Sequence, residues 1–140
     1  MTRKLLFSFA LFGIIFAAGC SDHIKLTGTV VFDDGTVVPT GIVYFDSDKD
    51  KIRSLGPIMP DGTFTVSTSG DADGLPKGQT FKVSVVAEET KEILDASGEY
   101  IGTQRTPLID PKYGNPATSG LTFTSDGKVK NFKITVNKAQ

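Results

Sequence analysis

The chain has 140 residues, a formal net charge of −1, one cysteine and one histidine. This length fits one domain with or without a targeting segment, and the near-neutral charge argues against a nucleic-acid-binding protein, which needs a basic patch. One cysteine excludes an internal disulfide, and one histidine excludes most histidine-based metal sites and any catalytic design with two imidazoles.

The N-terminus has the pattern of an export signal. Arg3 and Lys4 precede the charge-free run LLFSFALFGIIFAA at residues 5–18, and small residues follow. A short basic start, an apolar run and small residues before a cleavage point are typical of a secretory signal peptide, whereas a transmembrane helix needs about 20 apolar residues. Residues 1–19 are therefore predicted to be a signal helix that is cleaved.

The only cysteine, Cys20, directly follows Ala17-Ala18-Gly19. This sequence resembles the lipobox of bacterial lipoproteins, although Ala17 stands where the pattern usually has leucine. The resemblance implies cleavage before Cys20 and fatty acylation of that cysteine, with several acyl chains giving firm membrane attachment. The alternative is an ordinary signal peptide that happens to contain a cysteine.

Lipidation predicts a location at the cell envelope. Ser21 after the cysteine, rather than aspartate, indicates sorting to the outer membrane or its periplasmic face. Residues 20–23 are predicted to be the lipidated cysteine with a short tether, and residues 24–138 the folded domain. The chain from Cys20 onward has 13 basic and 16 acidic residues, so anionic headgroups should attract it little.

The folded domain is predicted to consist of short strands. Apolar and polar residues alternate along 24–32, 63–67, 81–88 and 132–136, as in half-buried strands. Residues 41–45 form a continuous apolar run, which suits a central strand buried on both faces. Residues 121–124 and 132–136 flank Asp126-Gly127 and are predicted to form a terminal hairpin. Together the segments predict an all-β, seven-stranded antiparallel β-sandwich.

Two features predict where the core of this sandwich lies. Gly28 falls on the apolar face of the first strand, where it is expected to admit a close neighbour. Roughly one phenylalanine falls on each predicted strand, which favours a buried core over a carbohydrate-binding platform. These phenylalanines are Phe32, Phe45, Phe64, Phe81, Phe123 and Phe132.

Residues 89–119 are the least strand-like part of the domain. The run EETKEILDA at 88–96 is the one helix candidate, and Pro107, Pro111 and Pro116 follow it. A long irregular segment in a compact domain is functional or mobile. Its apolar residues favour packing on the sandwich, and the alternative is a ligand-binding or partner-binding surface.

Several short motifs occur in an ordered series across residues 24–138. They are Gly28-Thr29-Val30, Asp34-Gly35, Val43-Tyr44-Phe45, Asp61-Gly62-Thr63-Phe64, Leu75-Pro76-Lys77-Gly78 and Pro111-Lys112-Tyr113. This series is similar to carboxypeptidase regulatory-like (transthyretin-like) domains, including those of planctomycete-type lipoproteins. The resemblance implies an Ig-like or prealbumin-like sandwich that usually lacks catalysis of its own.

Candidate chemical sites are few. Transthyretin-like hydrolases use two histidines and end in Tyr-Arg-Gly-Ser, whereas this chain has only His23 and ends in Asn-Lys-Ala-Gln, so no enzyme is predicted. Asp46, Asp48 and Asp50 have the spacing that begins an EF-hand, but the glycine and glutamate that must follow are absent. A solvated turn is favoured over a metal site there, and no cofactor is predicted.

The sequence thus predicts a membrane-anchored envelope lipoprotein with a non-catalytic interaction or structural module. Its partners would be the membrane, through lipid on Cys20, and an envelope protein or glycan. The alternative is a small-ligand or glycan binder that uses residues 89–119 as its site.

Overall fold

The computed structural model describes residues 23–68, 72–127 and 131–140. The predicted signal helix at 1–19 and Cys20 lie outside the described residues, and both stay predictions.

Within the described ranges the chain forms β-strands and one 3-10 turn but no α-helix, which confirms the all-β class. The strands are β1 (His23–Ile24), β2 (Thr27–Phe32), β3 (Gly41–Ser47), β4 (Arg53–Ile58), β5 (Thr63–Thr65), β6 (Ser67–Thr68), β7 (Ala72–Asp73), β8 (Leu75–Pro76), β9 (Thr80–Val86), β10 (Glu88–Leu94), β11 (Tyr100–Pro107), β12 (Leu121–Thr124) and β13 (Asn131–Val136). The 3-10 turn covers Pro111–Gly114.

Most strands belong to one continuous sheet that curls into a half-barrel. Its order is β12-β9-β3-β4-β5-β2-β13, with β6 beside β4 and β7 beside β6. The two ends of this order approach each other, since the Phe123 ring on β12 lies 5.0 Å from the Phe132 ring on β13. The expected seven-stranded sandwich of two separate sheets is therefore not confirmed.

The predicted terminal hairpin is wrong. β12 pairs with β9, whereas β13 pairs with β2 at the other end of the sheet, and this β2–β13 pair is parallel. The register sets Phe132 opposite Gly28, where an added Cβ would collide with the Phe132 carbonyl oxygen and the Phe64 ring. The missing side chain at Gly28 thus permits this pairing, which confirms the expected close neighbour.

The phenylalanines form the core, as predicted. Phe45 on β3 is fully buried, and its ring lies 6.0–6.4 Å from four others. Those rings belong to Phe64, Phe81, Phe123 and Phe132. Tilted and edge-on ring pairs at such distances add to the stabilisation from apolar burial. One aromatic cluster therefore connects the middle of the sheet to both of its ends.

β3 is the central strand that the apolar run predicted, because it pairs with both β4 and β9. Its burial on both faces is only partial. Val43 and Phe45 are buried, whereas Ile42 and Tyr44 on the other face are half-buried. The Arg53 guanidinium covers the Tyr44 ring at 5.2 Å, so part of this outer face is shielded by a charged side chain.

Candidate functional site

The most distinctive surface feature is a hairpin formed by β10 and β11, which we call the arm (residues 88–107). It continues from β9 after the single residue Ala87 and forms a two-stranded sheet of its own. From residue 89 to residue 107 every side chain is exposed, apart from the half-buried Gly102. The arm therefore projects from the curled sheet and does not pack back on it.

The arm corrects two predictions, the helix at 88–96 and the irregular segment at 89–119. Glu88–Leu94 contains good helix formers, but each residue from Glu88 to Ile93 has a cross-strand partner in β11. β11 (YIGTQRTP) is rich in aromatic and β-branched residues that favour strands, and pairing with it overrides the weak helix preference. A Gly-containing turn between two such runs was the available sequence signal for a hairpin.

Asp95 organises the turn at the end of the arm. Its carboxylate accepts hydrogen bonds from Ser97 N at 2.8 Å, Ser97 Oγ at 2.6 Å and Glu99 N at 2.9 Å. These bonds, the Ser97 hydroxyl above all, lower the pKa of Asp95 because they stabilise its ionised form. Gly98 has φ +85°, which a side chain would disfavour. The turn is thus fixed locally.

Large apolar side chains cluster at the tip of the arm. Ile93, Leu94, Tyr100 and Ile101 have exposed fractions of 42–63%. A β-bulge between Ile93 and Leu94 leaves Ile101 without a cross-strand partner, and the Tyr100 hydroxyl lies 2.6 Å from Thr103 Oγ1. Grouped exposed apolar residues of this kind mark interaction surfaces in soluble domains.

A cavity of about 180 Å³ lies at the base of the arm. Its lining comes from residues 85–88 and from Pro107, Ile109, Asp110, Pro111 and Gly114. The lining is mostly apolar and includes two acidic residues, Glu88 and Asp110. The Asp110 carboxylate is partly engaged, because it accepts a hydrogen bond from Lys112 N at 2.9 Å and lies 3.5 Å from Lys112 Nζ. The cavity thus suits a small apolar group, with or without a positive charge.

Residues 108–119 pack on the curled sheet, as their apolar side chains predicted. Ile109 and Tyr113 are buried, and the Tyr113 hydroxyl donates to Asn137 Oδ1 at 2.7 Å. The predicted segment 89–119 is therefore two different structures, an exposed arm and a packed connection, and the cavity lies where they join.

The three aspartates with metal-ligand spacing do not converge. Asp46 Oδ1 accepts from Arg53 Nε at 2.6 Å, and Asp48 Oδ2 lies 2.9 Å from Lys82 Nζ. Lys82 lowers the pKa of Asp48, and Asp46 raises the pKa of Arg53, in each case mainly through the hydrogen bond between them. Asp50 accepts from the Gln79 side-chain amide. Each carboxylate thus has its own partner.

Over residues 23–68, 72–127 and 131–140, no three His, Cys, Asp or Glu side chains come together as metal ligands. In the same ranges no helix is long and apolar enough to cross a membrane. His23 lies in β1, which pairs with β8, and so belongs to the strand nearest the predicted lipidation site.

Comparison with known proteins returned no protein family, no curated protein and no solved structure similar to this chain. The likeness to carboxypeptidase regulatory-like domains therefore stays a prediction from short motifs.

Proposed function

We propose that this protein is a lipid-anchored envelope lipoprotein whose all-β domain is a non-catalytic interaction module with the arm as its contact surface. We also propose that the curled sheet is a variant of the carboxypeptidase regulatory-like sandwich that the motifs resemble. The observation that carries the functional proposal is the exposed apolar tip on a hairpin that leaves the body of the domain.

β1, the described strand that follows the proposed anchor in the chain, lies at the opposite end of β9 from the arm. β1 pairs with β8, which leads into the start of β9, and the arm leaves from the end of β9. Seven residues of β9 span about 23 Å at the rise of a strand. Cys20 precedes His23 by three residues, a reach of about 10 Å. An anchored domain would thus hold its N-terminal end at the membrane and leave the arm, at the other end of β9, clear of the attachment point.

The charge of the tip favours a protein partner over a lipid surface. Glu92, Asp95 and Glu99 each adjoin an apolar tip residue in the chain, and Lys91 is the nearest basic residue in the sequence. Anionic headgroups would repel this arrangement. A protein surface with an apolar patch would match it.

A photo-reactive benzoylphenylalanine at position 101 tests the contact surface. Irradiation of intact cells should give a discrete adduct from Ile101 and none from Met59, a matched exposed apolar position at 54% exposure on the body. Equal labelling of the two positions, or no adduct at either, would overturn the proposed contact surface.

The anchor is tested separately by incorporation of labelled palmitate. We expect the wild-type chain to be labelled and the Cys20→Ala variant to be unlabelled. An unlabelled wild-type chain would contradict the lipoprotein proposal while leaving the cross-linking result intact.

The cavity supports a second candidate function, the binding of a small ligand at residues 85–114. Its mostly apolar lining and the two acidic residues in it, Glu88 and Asp110, favour an aliphatic amine over a glycan. Hexylammonium serves as a probe and should shift the NMR signals of Ala87 and Ile109. Gly114→Val should abolish the shifts, because its side chain would approach Val86, whereas Gly102→Val on the arm should preserve them. Shifts that survive Gly114→Val would rule out this cavity.

A further inference from the structure

The arm is a two-stranded sheet, and no strand within residues 23–68, 72–127 and 131–140 pairs with either of its outer edges. An isolated hairpin is marginally stable in water, and three or more strands are usually needed. We propose, building on the function above, that the occupant of the arm is a second copy of this chain, joined β11 to β11 in an antiparallel four-stranded sheet about a two-fold axis at Gln104.

The two edge strands of the arm differ in charge. This difference favours β11 as the strand that pairs with a second copy. β10 carries four charged residues, Glu88, Glu89, Lys91 and Glu92, whereas β11 carries only Arg105. Charged edge strands resist pairing with another strand. β11 is therefore the edge open to a second copy, and two-fold symmetry is the commonest arrangement of two identical chains.

A two-fold axis at Gln104 creates complementary charge pairs. Within one chain Glu92 is directly opposite Thr103, and Arg105 lies on the same face two residues further along. Across the axis Arg105 of the second copy would lie beside Thr103, from where its long side chain reaches Glu92. In the described part of the chain neither Glu92 nor Arg105 has an ion-pair partner. The dimer would thus contain two symmetric Glu92–Arg105 ion pairs, formed by residues that have no ion-pair partner within the described residues of a single chain.

The same register gives the β11 side of the apolar tip an apolar neighbour. With Gln104 opposite itself, Ile101 would lie beside Pro107 of the second copy. Pro107 lines the apolar cavity at the base of the arm. The β11 side of each tip would therefore lie beside the base of the other arm.

Disulfide trapping tests the register. Gln104→Cys should cross-link to itself on oxidation with copper phenanthroline, since directly opposed residues on antiparallel strands lie within the range of a disulfide. Lys91→Cys on the opposite edge is the matched control and should not cross-link. The full chain is assayed in unfractionated lysate, and wild type gives the background from Cys20. A covalent dimer from Gln104→Cys alone supports the proposal, and any other pattern overturns it.

A charge exchange tests the pairing. Sedimentation of the full chain in detergent should show a dimer whose dissociation constant rises about tenfold or more with Arg105→Glu, because two attractions become repulsions. Adding Glu92→Arg to that variant should restore the dissociation constant to within about threefold. A monomeric wild type, or no restoration, would sink the second-copy proposal. If the photo-reactive residue at position 101 then gives an adduct whose mass differs from that of a dimer, the proposed contact surface stands and only the identity of its partner changes.

Discussion

The body and the arm place their large apolar side chains in opposite surroundings. The body, which we define as the described residues outside the arm, curls until β12 and β13 meet through Phe123 and Phe132. The arm leaves both edges open and places large apolar residues where water reaches them. The body therefore contains the buried core and the arm does not, and substitutions in the two parts should have different consequences for stability.

The largest difference should come from truncating matched aromatic residues. Phe45→Ala removes the centre of the aromatic cluster and should lower the free energy of unfolding by about 3–5 kcal/mol. Tyr100→Ala at the tip should change it by less than about 0.5 kcal/mol, because that ring is exposed. Urea denaturation followed by circular dichroism measures both. Similar losses for the two variants would show that the arm is part of the body.

A pair of glycines gives the next largest contrast. Gly28→Ala should lower the free energy of unfolding by about 3 kcal/mol, since the added Cβ has no space between the Phe132 backbone and the Phe64 ring. Gly102→Ala on the arm has nothing within 4 Å of its Cβ and should be close to neutral. The same denaturation experiment measures both variants, and a tolerated alanine at Gly28 would contradict the β2–β13 packing.

Two serines sharpen the comparison for hydrogen bonds. Ser125 is fully buried, where its hydroxyl donates to Pro76 O at 2.5 Å and accepts from Gln79 N at 3.0 Å. Ser125→Ala should therefore lower the free energy of unfolding by about 2 kcal/mol, because Pro76 O and Gln79 N would lose the hydroxyl as their hydrogen-bond partner. Ser97→Ala on the arm should leave global stability unchanged. Thermal unfolding of both variants is the check, and equal melting temperatures would be inconsistent with this account.

The smallest effect is local to the arm and depends on pH. The pKa of Asp95 is lowered by its hydrogen bonds, so the turn gains stability above the ordinary aspartate pKa of about 3.9 and loses it as pH falls through the lower value. Carbon-13 NMR of the carboxyl should give a midpoint below that of a free aspartate. Ser97→Ala should raise it, and an unaltered midpoint in that variant would contradict the hydrogen-bonded turn.

How far the sequence predicts this molecule depends on how local each interaction is. The alternation of apolar and polar residues along single strands predicts the all-β class and the phenylalanine core. This is possible because the residues next to a position in the chain are enough to show which face of the strand is buried. The pairing of β13 with β2 depends on contacts from Phe132 to Gly28, over 100 residues apart, so the nearer Asp-Gly turn was misleading. Glu88–Leu94 was misread as a helix because its strand pairing depends on β11 rather than on its own composition.

The candidate site was predicted only in outline. The sequence singled out residues 89–119 but favoured their packing on the sandwich over a ligand-binding or partner-binding surface. The apolar tip depends on the hairpin register, and the cavity depends on the packing of residues 107–114 against the end of β9. The aspartates at 46, 48 and 50 show the opposite case, in which the sequence indicates a site that the structure does not form. They are close in the sequence, but Arg53 binds Asp46 and Lys82 binds Asp48, each from a neighbouring strand.

The central claim is that the arm is completed by a partner while the body is complete by itself. Amide hydrogen exchange of the full chain, at low and high protein concentration, tests it most directly. The account predicts slow exchange in β3 and β9 at both concentrations, and fast exchange in β10 and β11 that slows as concentration rises. Arm amides as protected as those of β3 at low concentration would contradict it.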